Sequence, residues 1–179
     1  MAVTVRAGAA PLWWPGLVAA AAGVFVPGLT GRRIGLLAGA ALFIVTAAVV
    51  ALARGKRYAE LARSASRAGR NDFLQDRAVT VRVWRRGRRW WLLGAFVVAV
   101  ASSFALPGAG GLLLAGAGAG LWAKAVRIGQ RERREDVLYW VRTDWTGHGS
   151  PAGKRVKAYR TTGPEAGDAA PGGARRRRR

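Results

Sequence analysis

Charge is nearly absent from two long stretches of this chain. Between Trp13 and Ala53 the only charged residues are Arg32 and Arg33, and between Trp90 and Ala123 there are none. Apart from Arg6, the remaining charge lies in 54–89 or beyond Ala123. A net charge of +21 beside 51% hydrophobic residues would be contradictory in a soluble globule. Segregated along the chain, the two properties fit a lipid solvent, where a charge at mid-bilayer costs at least a few kcal/mol. The pattern predicts an integral membrane protein.

A crossing helix needs about 20 apolar residues to match a hydrocarbon core of about 30 Å. Four segments approach this: 12–29, 34–53, 90–106 and 111–126. Pro15 and Pro27 lie near the ends of the first, where a helix tolerates them. That segment has no clear small-x-small cleavage site before Arg32, so it is expected to stay as a crossing rather than leave as a signal peptide. The expected fold class is all-α: a polytopic membrane protein with four transmembrane helices as two similar hairpins, basic amphipathic cytoplasmic helices and a disordered C-terminal tail.

The hairpins look alike. Trp13-Trp14 recurs as Trp90-Trp91, Leu36-Leu37-Ala38-Gly39-Ala40 as Leu113-Leu114-Ala115-Gly116-Ala117, and Arg54 and Arg57 as Arg131 and Arg134, always 77 residues later. An internal repeat is the expectation. The domain plan is a first hairpin over 1–53, a basic segment over 54–89 and a second hairpin over 90–126. An amphipathic helix over 127–146 and a disordered basic tail over 147–179 complete it. Arginine outnumbers lysine 26 to 4, with three isoleucines and one asparagine. That usage points to a high-GC bacterial genome.

Orientation follows from the basic residues. The segment 54–89 holds twelve Lys/Arg against three acids, and the stretch from Arg127 onward holds fourteen against six. The connecting turns at 27–33 and 107–111 hold only Arg32 and Arg33. Excess Lys/Arg marks the cytoplasmic side, so both termini should be cytoplasmic in a multi-pass protein of the cell membrane. Trp13, Trp14, Trp90 and Trp91 then fall at headgroup level as interface anchors. Lys124 is expected to extend to the headgroups.

Small residues four apart share a helix face and let backbones approach closely. Gly31, Gly35 and Gly39, with Gly116 and Gly120, therefore predict that the second and fourth crossings meet near a pseudo-twofold axis. In the basic segment, Tyr58, Leu61 and Ala65 fall on one side of a helix over 54–70. The stretch 73–89 fits strand or helix. In 127–145, Ile128, Val137, Leu138, Val141 and Trp145 form an apolar set that should lie on the inner leaflet or against the 54–70 helix.

Chemistry is hard to find. With no cysteine and one histidine, thiolate and imidazole metal sites are not expected. Asp144, His148 and Ser150 lie in a glycine-rich stretch with nothing to fix a nucleophile against a base. The glycines of 108–120 lack the Lys-Ser/Thr of a phosphate loop. No ionisable group lies deep in a span to couple ions to transport. A non-enzymatic membrane-anchored interaction or scaffold module without cofactors is the leading reading. Arg85, Arg86, Arg88, Arg89, Arg175, Arg176, Arg177, Arg178 and Arg179 are its candidate contacts to polyanions or to the anionic inner leaflet. The alternatives are a membrane-tethered non-specific DNA-binding protein, and a small pore made by homo-oligomers. Expected partners are lipid, then a cytoplasmic protein or nucleic acid.

Overall fold

A computed structural model describes residues 2–69, 72, 76–141 and 156–175. It is mostly helical. Helices α1 (Ala2–Ala7), α2 (Ala10–Phe25), α3 (Arg32–Leu52) and α4 (Gly55–Arg63) are followed by strand β1 (Ser66–Arg67). Then come α5 (Arg77–Ala101), a 3-10 turn at Ser102–Phe104 and α6 (Ala109–Arg134). Short strands β2 (Leu138–Trp140), β3 (Arg160–Thr162), β4 (Ala169–Ala170) and β5 (Ala174–Arg175) complete the described chain. Two compact units result: a helical one of Ala7–Leu52 and Trp84–Ala123, and a basic one of Met1–Arg6, Ala53–Val83 and Lys124–Arg179.

Among the described residues, three helical stretches are long and apolar enough to cross a membrane: Ala2–Phe25, Arg32–Arg63 and Ala109–Arg134. The stretch read as the third crossing falls short in α5. Arg85, Arg86, Arg88 and Arg89 occupy the helix before its apolar part, and regular helix ends at Ala101.

The helical unit is organised around α6, which turns a different small-residue face to each neighbour. Towards α2 the backbones nearly touch. A Cβ on Gly16 would lie 2.4 Å from the Ala115 nitrogen, and one on Gly111 would lie 2.1 Å from the Ala20 nitrogen. Gly118 against Trp13 and Gly23 against Gly108 extend this antiparallel contact along both helices. Towards α3, Gly116 meets the Phe43 backbone, Gly120 meets Ala47 and Val50, and Gly39 meets Ala109 and Leu112. Towards α5, Gly110 meets Ala99 and Ser102. Hydrophobic burial offers little between helices in lipid, so dispersion contacts of this kind are the main cohesive term.

The α3–α6 pair differs from the expected symmetry. An exact twofold would set residues 77 apart at one level. Instead Phe43 stands level with Gly116, and Ala47 with Gly120. The helices run parallel but are slid by four residues, one turn, which is about 6 Å. A four-residue slide keeps the same faces in contact and lets the bulky Phe43 face a glycine.

All four chain ends of the helical unit lie together. Gly8 packs on Trp84 and Leu121, while Val50 packs on Gly120. At the opposite end the two connecting turns are joined: Leu29 N–H donates to the Phe104 carbonyl at 3.0 Å, and the Thr30 hydroxyl donates to that of Ala105 at 2.9 Å. Gly108, with φ +74 and the Ala20 carbonyl 3.2 Å from where its Cβ would stand, is a position only glycine fills without strain.

The basic unit holds order where a disordered tail was expected. β3 is the middle strand of a three-stranded sheet, parallel to β1 and antiparallel to β2. Leu61, Tyr139, Val156 and Tyr159 form its core, with Tyr58, Ala62, Ala65, Ile128, Val137 and Val141 packed around them. The tail supplies two of the four core residues, and so 156–175 is structured rather than disordered. The rest of the expected tail lies outside the described residues.

Both basic helices are also shorter than the sequence pattern predicted. Arg54 takes a left-handed conformation between α3 and α4, and α4 ends at Arg63 before β1. Helix α6 ends at Arg134, where Asp136 takes φ +50 and the chain leaves as β2. The apolar set in 137–141 suits a strand once β3 offers a partner. Trp145 lies outside the described residues.

Packing around α6 predicts a graded glycine series. Gly16→Ala, Gly111→Ala and Gly116→Ala each push a methyl into neighbouring backbone and should cost about 1–3 kcal/mol. Gly87 and Gly94 have nothing within 4 Å of an added Cβ, so alanine there should hold or raise the melting temperature in detergent. Equal melting across all five variants would contradict the packing.

Candidate functional site

The first half of α5 carries the densest run of positive charge in the described chain. Helical geometry fans Arg85, Arg86, Arg88 and Arg89 over roughly 160° of the helix circumference. Arg85, Arg86 and Arg89 are exposed and Arg88 is half-buried. The Arg88 guanidinium lies over the Trp84 ring at 4.9 Å, and that of Arg89 over the Trp90 ring at 5.3 Å. Such stacking steadies a cation without neutralising it. From Arg77 through Arg131 the sequence has no acidic residue. Among the described residues, no carboxylate pairs with any of these four arginines.

The start of α5 is held from far along the chain. The Asp168 carboxylate accepts the Arg77 N–H at 2.6 Å and the Ala78 N–H at 3.2 Å. It caps two free amides and opposes the positive end of the helix dipole. The Arg77 Nε also donates to the Gly173 carbonyl at 2.7 Å. Sequence reading missed this cap because nothing local links residue 168 to residue 77.

Glu132, which the sequence pattern did not single out, is 1% exposed. Its carboxylate accepts from the Gly172 N–H at 2.9 Å and the Ala2 N–H at 3.4 Å. One α6 side chain thus joins the chain's beginning to its tail. A buried carboxylate with backbone donors serves structure well, since removing it would leave those amides unsatisfied.

The four tryptophans expected as interface anchors differ among themselves. Trp90 and Trp91 are 71% and 81% exposed and Trp14 is 65% exposed. Trp13 is half-buried and packs edge-on against Phe43 at 5.9 Å. Gly35, Gly39, Gly116 and Gly120 are buried at helix contacts, with Gly35 against Pro107, while Gly31 has φ +40 and open space around it. Lys124 does not reach outward. It is 9% exposed, with Nζ 5.5 Å from the Tyr58 ring. Arg175 lies in β5. Arg176, Arg177, Arg178 and Arg179 lie outside the described residues, as do Asp144, His148 and Ser150. Among the described residues, no three His, Asp or Glu side chains converge as a metal site would require.

No family model matches this sequence, and no curated protein or solved structure matches it either.

The sheet of the basic unit carries its own titration signature. The Tyr139 hydroxyl donates to Glu135, and the Arg131 Nε donates to the same carboxylate at 2.7 Å. Tyr139 and then Arg131 hold the Glu135 carboxyl below its usual range. Burial, then the bond to Glu135, pushes the Tyr139 phenol up to about 12. Burial also raises Tyr159, with Tyr58 nearby adding to the effect. A folded-state pKa above the unfolded value gives stability that is complete below about 10 and lost as pH climbs through 12. Phenolate absorbance should show Tyr139 ionising near pH 12 in the folded protein, with the basic unit loosening over the same window. Tyr139→Phe should remove that transition. Ionisation of every tyrosine near pH 10 without unfolding would contradict the buried sheet.

Proposed function

We propose that this chain is a cell-membrane protein that crosses the bilayer four times, as two hairpins with both termini cytoplasmic. In this reading it acts without chemistry of its own, as a membrane-anchored interaction module presenting its basic face. The chain ends of the helical unit support the topology, since 8, 50, 84 and 121 come together at one end. A fourth crossing through α5 fits that arrangement. Its apolar helix and 3-10 turn rise about 24 Å from Trp90 to Phe104. That is short of a 30 Å core, and local thinning or extended arginine stems make up the difference.

The observation that carries the interaction reading is the unpaired arginine run of α5. Charges needed only for orientation could be met singly by acids nearby, as Arg131 is by Glu135. Four exposed or half-exposed cations without a carboxylate partner among the described residues favour an external anionic surface. The pore reading is weaker, because Gly39, Gly116 and Gly120, the strips that subunits would share, already face neighbours inside the unit.

A photo-crosslinking residue at Arg86 in native membranes tests the module. A recurring cytoplasmic protein should be captured, and capture should fall at least tenfold when Arg85, Arg88 and Arg89 become Gln. Adducts indistinguishable from those of an unrelated membrane protein would overturn the reading. Non-specific DNA binding is the second reading, favoured by the same arginines and the Arg175–Arg179 run. It requires duplex DNA to be retained in neutral detergent at low salt, with a slope shallower by roughly 0.9 for each phosphate contact removed. No retention there would exclude it.

A further inference from the structure

A cleft of about 840 Å³ runs between α5 and α6. Trp91, Gly94 and Val98 form one wall, and Gly110, Leu113 and Leu114 the other. Ser102, at its far end, already donates its hydroxyl to the Ala99 carbonyl at 2.8 Å. The walls thus suit an apolar occupant. From Trp91 to Ser102 the cleft extends about 16 Å at helical rise, close to half the hydrocarbon thickness. Its length is that of one leaflet.

Polarity changes abruptly at one end. Residues three and four apart share a helix face, so Arg88 continues the Trp91–Ala95–Val98–Ser102 line beyond the cleft. Arg88 is stacked on Trp84 and has no carboxylate partner among the described residues. Arg85 stands one turn further back. A leaflet-deep apolar slot thus opens directly beneath unpaired cations.

We propose that this cleft is a binding site for an anionic phospholipid, with an acyl chain between α5 and α6 and the phosphate on Arg88. A second copy of the chain is the rival occupant. It would share this orientation and bring its own arginines to the same depth, where like charges repel. An anionic lipid answers both the apolar slot and the charge. The assignment rests on the proposed inner-leaflet position of Arg85–Arg89.

The test uses full-length protein delipidated in neutral detergent and offered equal amounts of phosphatidylglycerol and phosphatidylcholine with identical chains. Native mass spectrometry counts the lipid retained. Wild type should keep phosphatidylglycerol in preference, and Arg88→Gln should cut that preference about fivefold. Arg33→Gln, in the first turn of α3 at the opposite end of the helical unit, should leave it unchanged. Gly94→Leu projects into open space and should expel both lipids without lowering the melting temperature. An unchanged lipid count in Gly94→Leu would overturn the site. Equal retention of the two lipids by wild type, with both lost in Gly94→Leu, would overturn the anionic choice, whereas the inner-leaflet position itself fails only if Lys56→Cys is labelled in intact cells. Loss of dimers from Gly94→Leu at constant lipid count would give the cleft to a second copy and overturn the proposal.

Discussion

Backbone contact around α6 is the interaction on which the helical unit depends. Lipid supplies almost no drive for apolar side chains to leave it, so helices associate only where they fit closely. Gly16, Gly111, Gly116 and Gly120 provide that fit, each with neighbouring atoms so near that a methyl group cannot enter. Everything else in the unit follows from α6 being shared. α2 and α3 are placed by opposite small faces, and Gly110 brings α5 to a third. The joined turns at Leu29–Phe104 and Thr30–Ala105 then fix one level of the bundle.

The basic unit solves a different problem, because its segments are short and strongly cationic. Its core is small: four buried side chains and a ring of half-buried ones. Carboxylates therefore do much of the organising. Asp168 caps α5, Glu132 ties the chain's start to its tail, and Asp72 pairs with Arg160 at 3.4 Å. With nine acids against thirty Lys and Arg, each such contact leaves most cations unmatched. Among the described residues the arginines of α5 are the densest remainder, and they precede the cleft between α5 and α6 along the helix.

Much of the membrane half was legible because lipid imposes a rule that a sequence must obey everywhere. The uncharged stretches marked the long helices, and of the glycines spaced by four, Gly39, Gly116 and Gly120 lie at an α3–α6 contact while Gly35 meets Pro107 and Gly31 faces open space. The α2–α6 contact through Gly16, Gly111 and Gly118 was not read, since its steps alternate between three and four and no short motif displays them. Nor was the one-turn slide of α3 on α6, which depends on Phe43 rather than on the repeat. The basic unit was least legible. Val156 and Tyr159 look isolated in a glycine-rich tail, and only distant partners, Leu61 and Tyr139, make them core. Tyr58, Leu61 and Ala65 were read as one helix face, and they share that core.

The most direct test of the account is the side of the membrane on which each turn emerges. The chain has no cysteine, so single-cysteine variants report position without background. Leu29→Cys and Ala105→Cys should both react with a membrane-impermeant maleimide in intact cells, because hydrogen bonds hold their turns at one level. Lys56→Cys and Arg133→Cys should react only after the membrane is opened. Protection of Ala105→Cys while Leu29→Cys reacts, or labelling of Lys56→Cys in intact cells, would contradict a bundle with all its basic ends on the cytoplasmic side.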